Sequence, residues 1–220
     1  MIIVAIDEND FKQASLIIDC LDVNKCMIKI GSVAFNALGQ DIIFYAAEKG
    51  FDIFLDLKLH DIPNTVKKAI SGLTSLPIKM LTVHASGGRN MLNASMEAVS
   101  GTGIKVFGVT ALTSLNDSDT DYIYRRSIKE QVEKMLDLAE LSNIDGVVCS
   151  PQELELVCKR DSLMSITPGI RLHDMKDDQK RVMTPKEAIQ MGANYIVIGR
   201  PITSSNHIEQ SLNEIYESLK

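Results

Sequence analysis

The chain has only four cysteines, and none stands at a C-x-x-C or zinc-ligand spacing. Cys20, Cys26, Cys149 and Cys158 therefore offer neither a redox motif nor a metal knuckle, and a reduced, cytoplasmic protein is the expectation. Cys149 lies in the apolar run GVVC and reads as a small buried hydrophobe. Long apolar runs are missing too: nothing approaches the roughly 18–20 residues that cross a bilayer. The start, MIIVAIDEND, is apolar for six residues and then acidic, unlike the basic, longer-apolar start of a signal peptide. Positive charge is in deficit, with 23 Lys and Arg against 29 Asp and Glu. That balance argues against a nucleic-acid or anionic-membrane surface, while leaving room for one basic pocket that takes a phosphate. His60, His84, His173 and His207 form no ligand-spaced cluster, so no metal is expected. No Pro/Gly-rich linker, low-complexity tract or break in composition divides the sequence, which reads as one domain over 1–220.

What is present is ordinary globular material, 45% hydrophobic and 24% charged. Short β-rich runs recur as IIVAID (2–7), CMIKIG (26–31), FDIFLDLKL (51–59) and KMLTVHA (79–85). They continue as IKVFGVT (104–110), DGVVC (145–149), SLMSITPGI (162–170) and NYIVIG (194–199). Most gaps carry amphipathic helical stretches such as FKQASLIIDCLD and IKEQVEKMLDLAEL, with apolar residues returning every three or four positions. Pro151, Pro185 and the Ser204/Ser205 pair are expected to begin helices. Eight strand–helix units in 220 residues average about 27 each, the size of a compact (β/α)8 TIM barrel. An open doubly wound sheet also alternates, but no G-x-G-x-x-G follows the first run.

A barrel gives the strands a direction, and active sites lie at their C-terminal ends. The polar residues there are Asp7 (strand 1), Lys29 (strand 2), Asp56, Lys58 and Asp61 (strand 3), His84 (strand 4) and Thr113 just past strand 5. In FLDLKLHDIPNTV (54–66), Leu55, Leu57 and Leu59 face the helices, which turns Asp56 and Lys58 toward the barrel axis. Charges inside a barrel are costly unless paired. A self-compensating ion pair is one reading, but Lys29 and Asp7 converge from neighbouring strands at the same end, which points to a functional site. Lys58 among carboxylates reads as an ammonium and proton donor; a Schiff-base role would need a desolvating pocket or a nearby cation such as Lys29. His84 reads as a hydrogen-bonded barrel residue.

The other side of the mouth reads as a phosphate site. TPGIR (167–171) ends strand 7 and IGR (198–200) ends strand 8, each with a glycine and an arginine. Loops after strands 7 and 8 commonly hold phosphate in this fold, and arginine suits bidentate phosphate binding. Arg171 and Arg200 are the candidates, with the HASGGRN turn (84–90) a weaker anion cradle.

FLDLKLHDIPNTV carries the pattern D-x-K-x-x-D-I-P-x-T. With VAID, IKIG, VTALTS, DGVVCS, TPGIR, DQKR–MTP and VIGR in that order, it resembles the orotidine 5′-phosphate decarboxylase family over essentially the whole chain. The resemblance implies metal- and cofactor-free decarboxylation of orotidine 5′-phosphate to uridine 5′-phosphate, the last step of UMP synthesis, by a homodimer. It also implies that Lys29, Asp56, Lys58 and Asp61 form a charged array around the reacting carbon, with Lys58 protonating C6. Asp61, with Ile62 and Thr65, would enter the active site of the partner subunit. Asp7 and Lys29 would hold the ribose hydroxyls, Thr113 the pyrimidine, and Arg171, Gln179, Gly199 and Arg200 the phosphate end and lid. The lid segment LHDMKDD before Gln179 departs from the family pattern in being short, acidic and free of glycine. Two other readings stay open. Related phosphosugar barrels (the 3-keto-L-gulonate 6-phosphate decarboxylase and hexulose-phosphate synthase group) share D-x-K-x-x-D but use magnesium with a strand-2 carboxylate, where this chain has Lys29. A silent phosphate-ligand sensor on the same scaffold is the other.

Overall fold

In the computed structural model, residues 1–171 and 183–220 are described. Eight parallel strands close into a barrel in sequence order, each β-rich run supplying one. They are β1 (Ile2–Ile6), β2 (Cys26–Gly31), β3 (Ile53–Leu59), β4 (Met80–His84), β5 (Lys105–Val109), β6 (Gly146–Val148), β7 (Met164–Thr167) and β8 (Tyr195–Ile198). Closure comes from β8 against β1, with Ile196 opposite Ile2 and Ile198 opposite Val4.

Alternation along each strand sorts side chains into two cores. On β1, Ile2, Val4 and Ile6 pack outward against the helices, while Ile3 and Ala5 point to the axis. Met27, Phe54, Met80, Phe107 and Ile166 join them inside, with the rings of Phe54 and Phe107 edge to face at 6.5 Å. Burying each such side chain stabilises by roughly 1.5–3 kcal/mol before ordering costs. The filled interior leaves the polar strand ends on top of an apolar floor.

Local signals set the helix boundaries. Asp10 caps the helix Phe11–Asp19 by accepting the Gln13 N–H at 2.9 Å, and Ser127 with Glu130 forms a capping box for Ile128–Leu141. Pro151 and Pro185 open helical turns as expected. Ser204 and Ser205 do not: they fill the turn between Arg200–Thr203 and a helix that starts at Ile208. There Ser205 Oγ accepts the His207 N–H at 3.0 Å. β7 is shorter than the run 162–170, because Pro168 has no N–H for the ladder and Gly169 turns the chain at φ +83°. Cys149 is buried, its thiol pushed up by desolvation, and all four cysteines are free. Among the described residues no helix is long and apolar enough to cross a membrane.

Candidate active site

The β1–β2–β3 register places Lys29 opposite Ala5 and Phe54, and Gly31 opposite Asp56, so three adjacent strands deliver their charges to one end of the barrel. There the charges alternate in sign. Lys29 Nζ donates to Asp7 Oδ1 at 3.1 Å and lies 3.7 Å from Asp56 Oδ2, and Lys58 Nζ reaches the same Oδ2 at 2.7 Å. Asp56 and Lys29 side chains are only 10% and 12% exposed, so their mutual pairing offsets much of the desolvation that burying each alone would cost. Gly31 leaves room for this packing: a Cβ there would sit 2.8 Å from Lys29 Nζ.

Lys58 reaches the array by a route that strand alternation does not foresee. β3 pairs regularly with β4 up to Leu55–Leu81, then resumes at Leu59–Val83. Three residues, Asp56, Leu57 and Lys58, thus stand across from Thr82 alone, and Lys58 adopts φ +51°. A left-handed non-glycine residue costs about 1–2 kcal/mol, and such strain persists only where surrounding contacts impose it. The contacts are visible. The Lys58 N–H donates to Thr82 Oγ1 at 2.8 Å, and that hydroxyl donates to Asp56 Oδ1 at 2.9 Å. Thr82 went unremarked in the sequence, though its inward position follows from Met80 and His84 two residues to either side.

His84 is half-buried, with its ring 5.1 Å from that of His60. Burial, then the neighbouring His60 and Lys58, hold its pKa below the usual histidine value, with Asp56 opposing. It is a ring partner of His60 at the rim.

The remaining predicted residues divide into three groups. Thr113, Arg171, Gly199 and Arg200 line the same cavity as Asp7, Lys29, Asp56 and Lys58, above a floor of Ala5, Phe54, Ile166 and Val197. Arg171 is 7% exposed, with Nη1 donating to the Ile170 carbonyl at 2.9 Å, whereas Arg200 is exposed at the start of the helix Arg200–Thr203. Asp61, Ile62 and Thr65 are exposed and do not line this cavity; Asp61 Oδ1 accepts the Ile62 N–H at 2.6 Å. Gln179 and the rest of 172–182 lie outside the described residues. Among the described residues no group of three or more His, Cys, Asp or Glu is placed to hold a metal ion. Lys29 and Lys58 are the cations paired with Asp7 and Asp56 among the described contacts. The cavity therefore offers an ammonium poised over an apolar floor at one side and arginines for an anion at the other.

Comparison with known proteins shows the family and the fold. Residues 1–215 match the family model described as orotidine 5′-phosphate decarboxylase / HUMPS family. The chain is 45% identical to the orotidine 5′-phosphate decarboxylase of Ehrlichia chaffeensis, covering 99% of this chain and 96% of that protein. It is 42% identical to that of Coxiella burnetii, covering 100% and 96%. The crystal structure of the Lactobacillus acidophilus orotidine 5′-phosphate decarboxylase superposes with a TM-score of 0.86 at 33% identity, covering 100% of this chain and 98% of that one.

Proposed function

The chain belongs to the orotidine 5′-phosphate decarboxylase / HUMPS family, and from that premise we propose that it converts orotidine 5′-phosphate to uridine 5′-phosphate and carbon dioxide, without metal or cofactor, in the cytoplasm. One observation favours this reading over the magnesium-dependent branch. Lys29, on β2, occupies the carboxylate cluster with its Nζ 3.1 Å from Asp7 and 3.7 Å from Asp56. A divalent cation would have to displace that ammonium.

The substrate spans the cavity. Its phosphate binds at Arg171, Gly199 and Arg200, its ribose hydroxyls at Asp7 and Lys29, and its pyrimidine beside Thr113 on the apolar floor. The carboxylate on C6 then falls near Asp56. Repulsion between the two anions is relieved as the C6–carboxylate bond breaks and neutral carbon dioxide leaves. The electron pair stays on C6, with no adjacent π system to spread it. Lys58 stabilises that carbanion because its charge is already in place and needs no reorganisation at the moment of reaction. Its Nζ then transfers a proton to C6, and the resulting amine regains a proton from solvent. One proton is consumed for each carbon dioxide released. Phosphate contacts far from C6 supply binding energy that is realised in the transition state. In a homodimer, Asp61 with Ile62 and Thr65 completes the site of the neighbouring subunit, which their exposure and their absence from the lining of this chain's own cavity support.

The test follows orotidine 5′-phosphate absorbance with purified protein before and after exhaustive chelation. Turnover is expected unchanged by EDTA. Activity restored only by magnesium places the protein in the phosphosugar branch, and binding of orotidylate without turnover makes it a sensor.

A further inference from the structure

We infer that Thr82 is a positioning residue for this reaction: its one buried hydroxyl fixes both the backbone of Lys58 and the carboxylate of Asp56. The inference rests on the decarboxylase reading of the site. In an unbroken parallel strand successive N–H groups face alternate neighbours. The Ile53 carbonyl takes the Lys79 N–H on the β4 side and the Asp52 carbonyl takes the Ile28 N–H on the β2 side. The Lys58 N–H would therefore face β2, whose pairing ends with Gly31 opposite Asp56. The bulge between Leu55 and Leu59 turns it to β4 instead, where Thr82 Oγ1 accepts it at 2.8 Å.

The proton positions follow from the groups themselves. A backbone N–H only donates, so Oγ1 accepts from Lys58. The hydroxyl's single proton is then free for Asp56 Oδ1 at 2.9 Å, and an ionised carboxylate only accepts. With Oδ1 occupied by a neutral donor, Oδ2 is left to face both ammonium groups, Lys58 at 2.7 Å and Lys29 at 3.7 Å. One side chain thus sets the plane of the carboxylate and the left-handed turn that brings the proton donor to it.

Thr82 is 1% exposed and does not line the cavity, so it touches no substrate. Its removal should act on the chemical step and not on binding. Thr82→Val keeps the shape and deletes the hydroxyl; Thr82→Ser keeps the hydroxyl and deletes a methyl.

The experiment measures kcat and KM for orotidylate in both variants, with exchange of the Lys58 amide in protein labelled with 15N-lysine. Thr82→Val is expected to lower kcat by roughly 10- to 100-fold, the scale of a misplaced catalytic group. KM should stay within about threefold, and the Lys58 amide should exchange faster. Thr82→Ser should return kcat to within about threefold of wild type and restore protection. If Thr82→Val fails to fold, Thr82→Ala takes its place in the comparison with Ser. Wild-type kcat in the hydroxyl-less variant overturns the inference, as does a Ser variant as slow as Val, which would make Thr82 a packing residue. A wild-type protein that does not turn over orotidylate removes the decarboxylase reading instead, while amide exchange still reports whether the hydroxyl holds Lys58.

Discussion

Lys58 Nζ stands 2.7 Å from Asp56 Oδ2, although the two residues are neighbours but one on the same strand. Successive inward side chains on a flat strand point the same way without converging. Here the left-handed turn at Lys58, φ +51°, folds the second over the first. The backbone strain and the ion pair are therefore one feature: the bulge brings the proposed proton donor against the carboxylate proposed to face the departing group.

Lys58→Ala should abolish orotidylate turnover while leaving the far-ultraviolet circular dichroism intact, since the side chain sits at the mouth, 35% exposed, above the packed layers. Lys58→Gly should be equally inactive but more stable than the alanine variant by on the order of 0.5–1 kcal/mol, because glycine tolerates the left-handed backbone. Appreciable activity in either variant removes Lys58 as donor. A glycine variant no more stable than alanine by urea melting contradicts the strain at this position.

Arg200→Ala should lower kcat/KM by roughly two to four decades, at about 1.4 kcal/mol per decade for a charge-assisted bidentate contact. Phosphite dianion should partly rescue cleavage of the phosphate-free nucleoside by the wild type. Equal kcat/KM for nucleotide and nucleoside would show that the arginines at the β7 and β8 ends do not use the phosphate.

The rim histidine gives a stability prediction. Burial, His60 and Lys58 depress the pKa of His84 in the folded protein, against a smaller pull from Asp56. Its native state is thus neutral where the unfolded chain already binds a proton. Stability should fall as pH drops through the unfolded value of about 6.5, and this contribution levels off below the folded pKa. Carboxylates such as Asp19 and Glu130, lowered from 3.8 and 4.5, titrate below that window. Between pH 7.5 and 5.5 the melting temperature of the wild type should decline more steeply than that of His84→Asn. Parallel curves would show that His84 titrates alike in both states.

Much of this was legible from periodicity. Eight β-rich runs became eight strands because alternation and strand-flanking turns are local properties of the sequence, and the inward charges of β3 stood out because charge there is expensive. Thr82 escaped notice for the opposite reason: a neutral hydroxyl on an apolar strand costs little and advertises nothing until its partners are known. The turn at Lys58 was hidden as well, since lysine, unlike glycine or asparagine, carries no preference for positive φ. Arg171 and Arg200 were read as alike from their place after a glycine. Only the packing shows the first buried and the second exposed.

Asp61 gives the last prediction. It follows β3 directly, yet it is exposed and absent from the lining of its own cavity, its Oδ1 accepting only a neighbouring backbone N–H at 2.6 Å among the described contacts. If it serves a partner, each site of a two-fold dimer combines Lys29, Asp56 and Lys58 of one chain with Asp61 of the other. Lys58→Ala and Asp61→Asn homodimers should then each be nearly inactive, because every site lacks one member. In a mixed dimer one site carries both lesions, while the other draws Lys58 and Asp61 from unmutated positions and is whole. Random re-association of equal amounts makes about half the dimers mixed, each with one good site, so activity should return to roughly a quarter of wild type. Subunit exchange verified by mass, with no recovery of activity, would confine Asp61 to its own chain and remove the basis for a shared site.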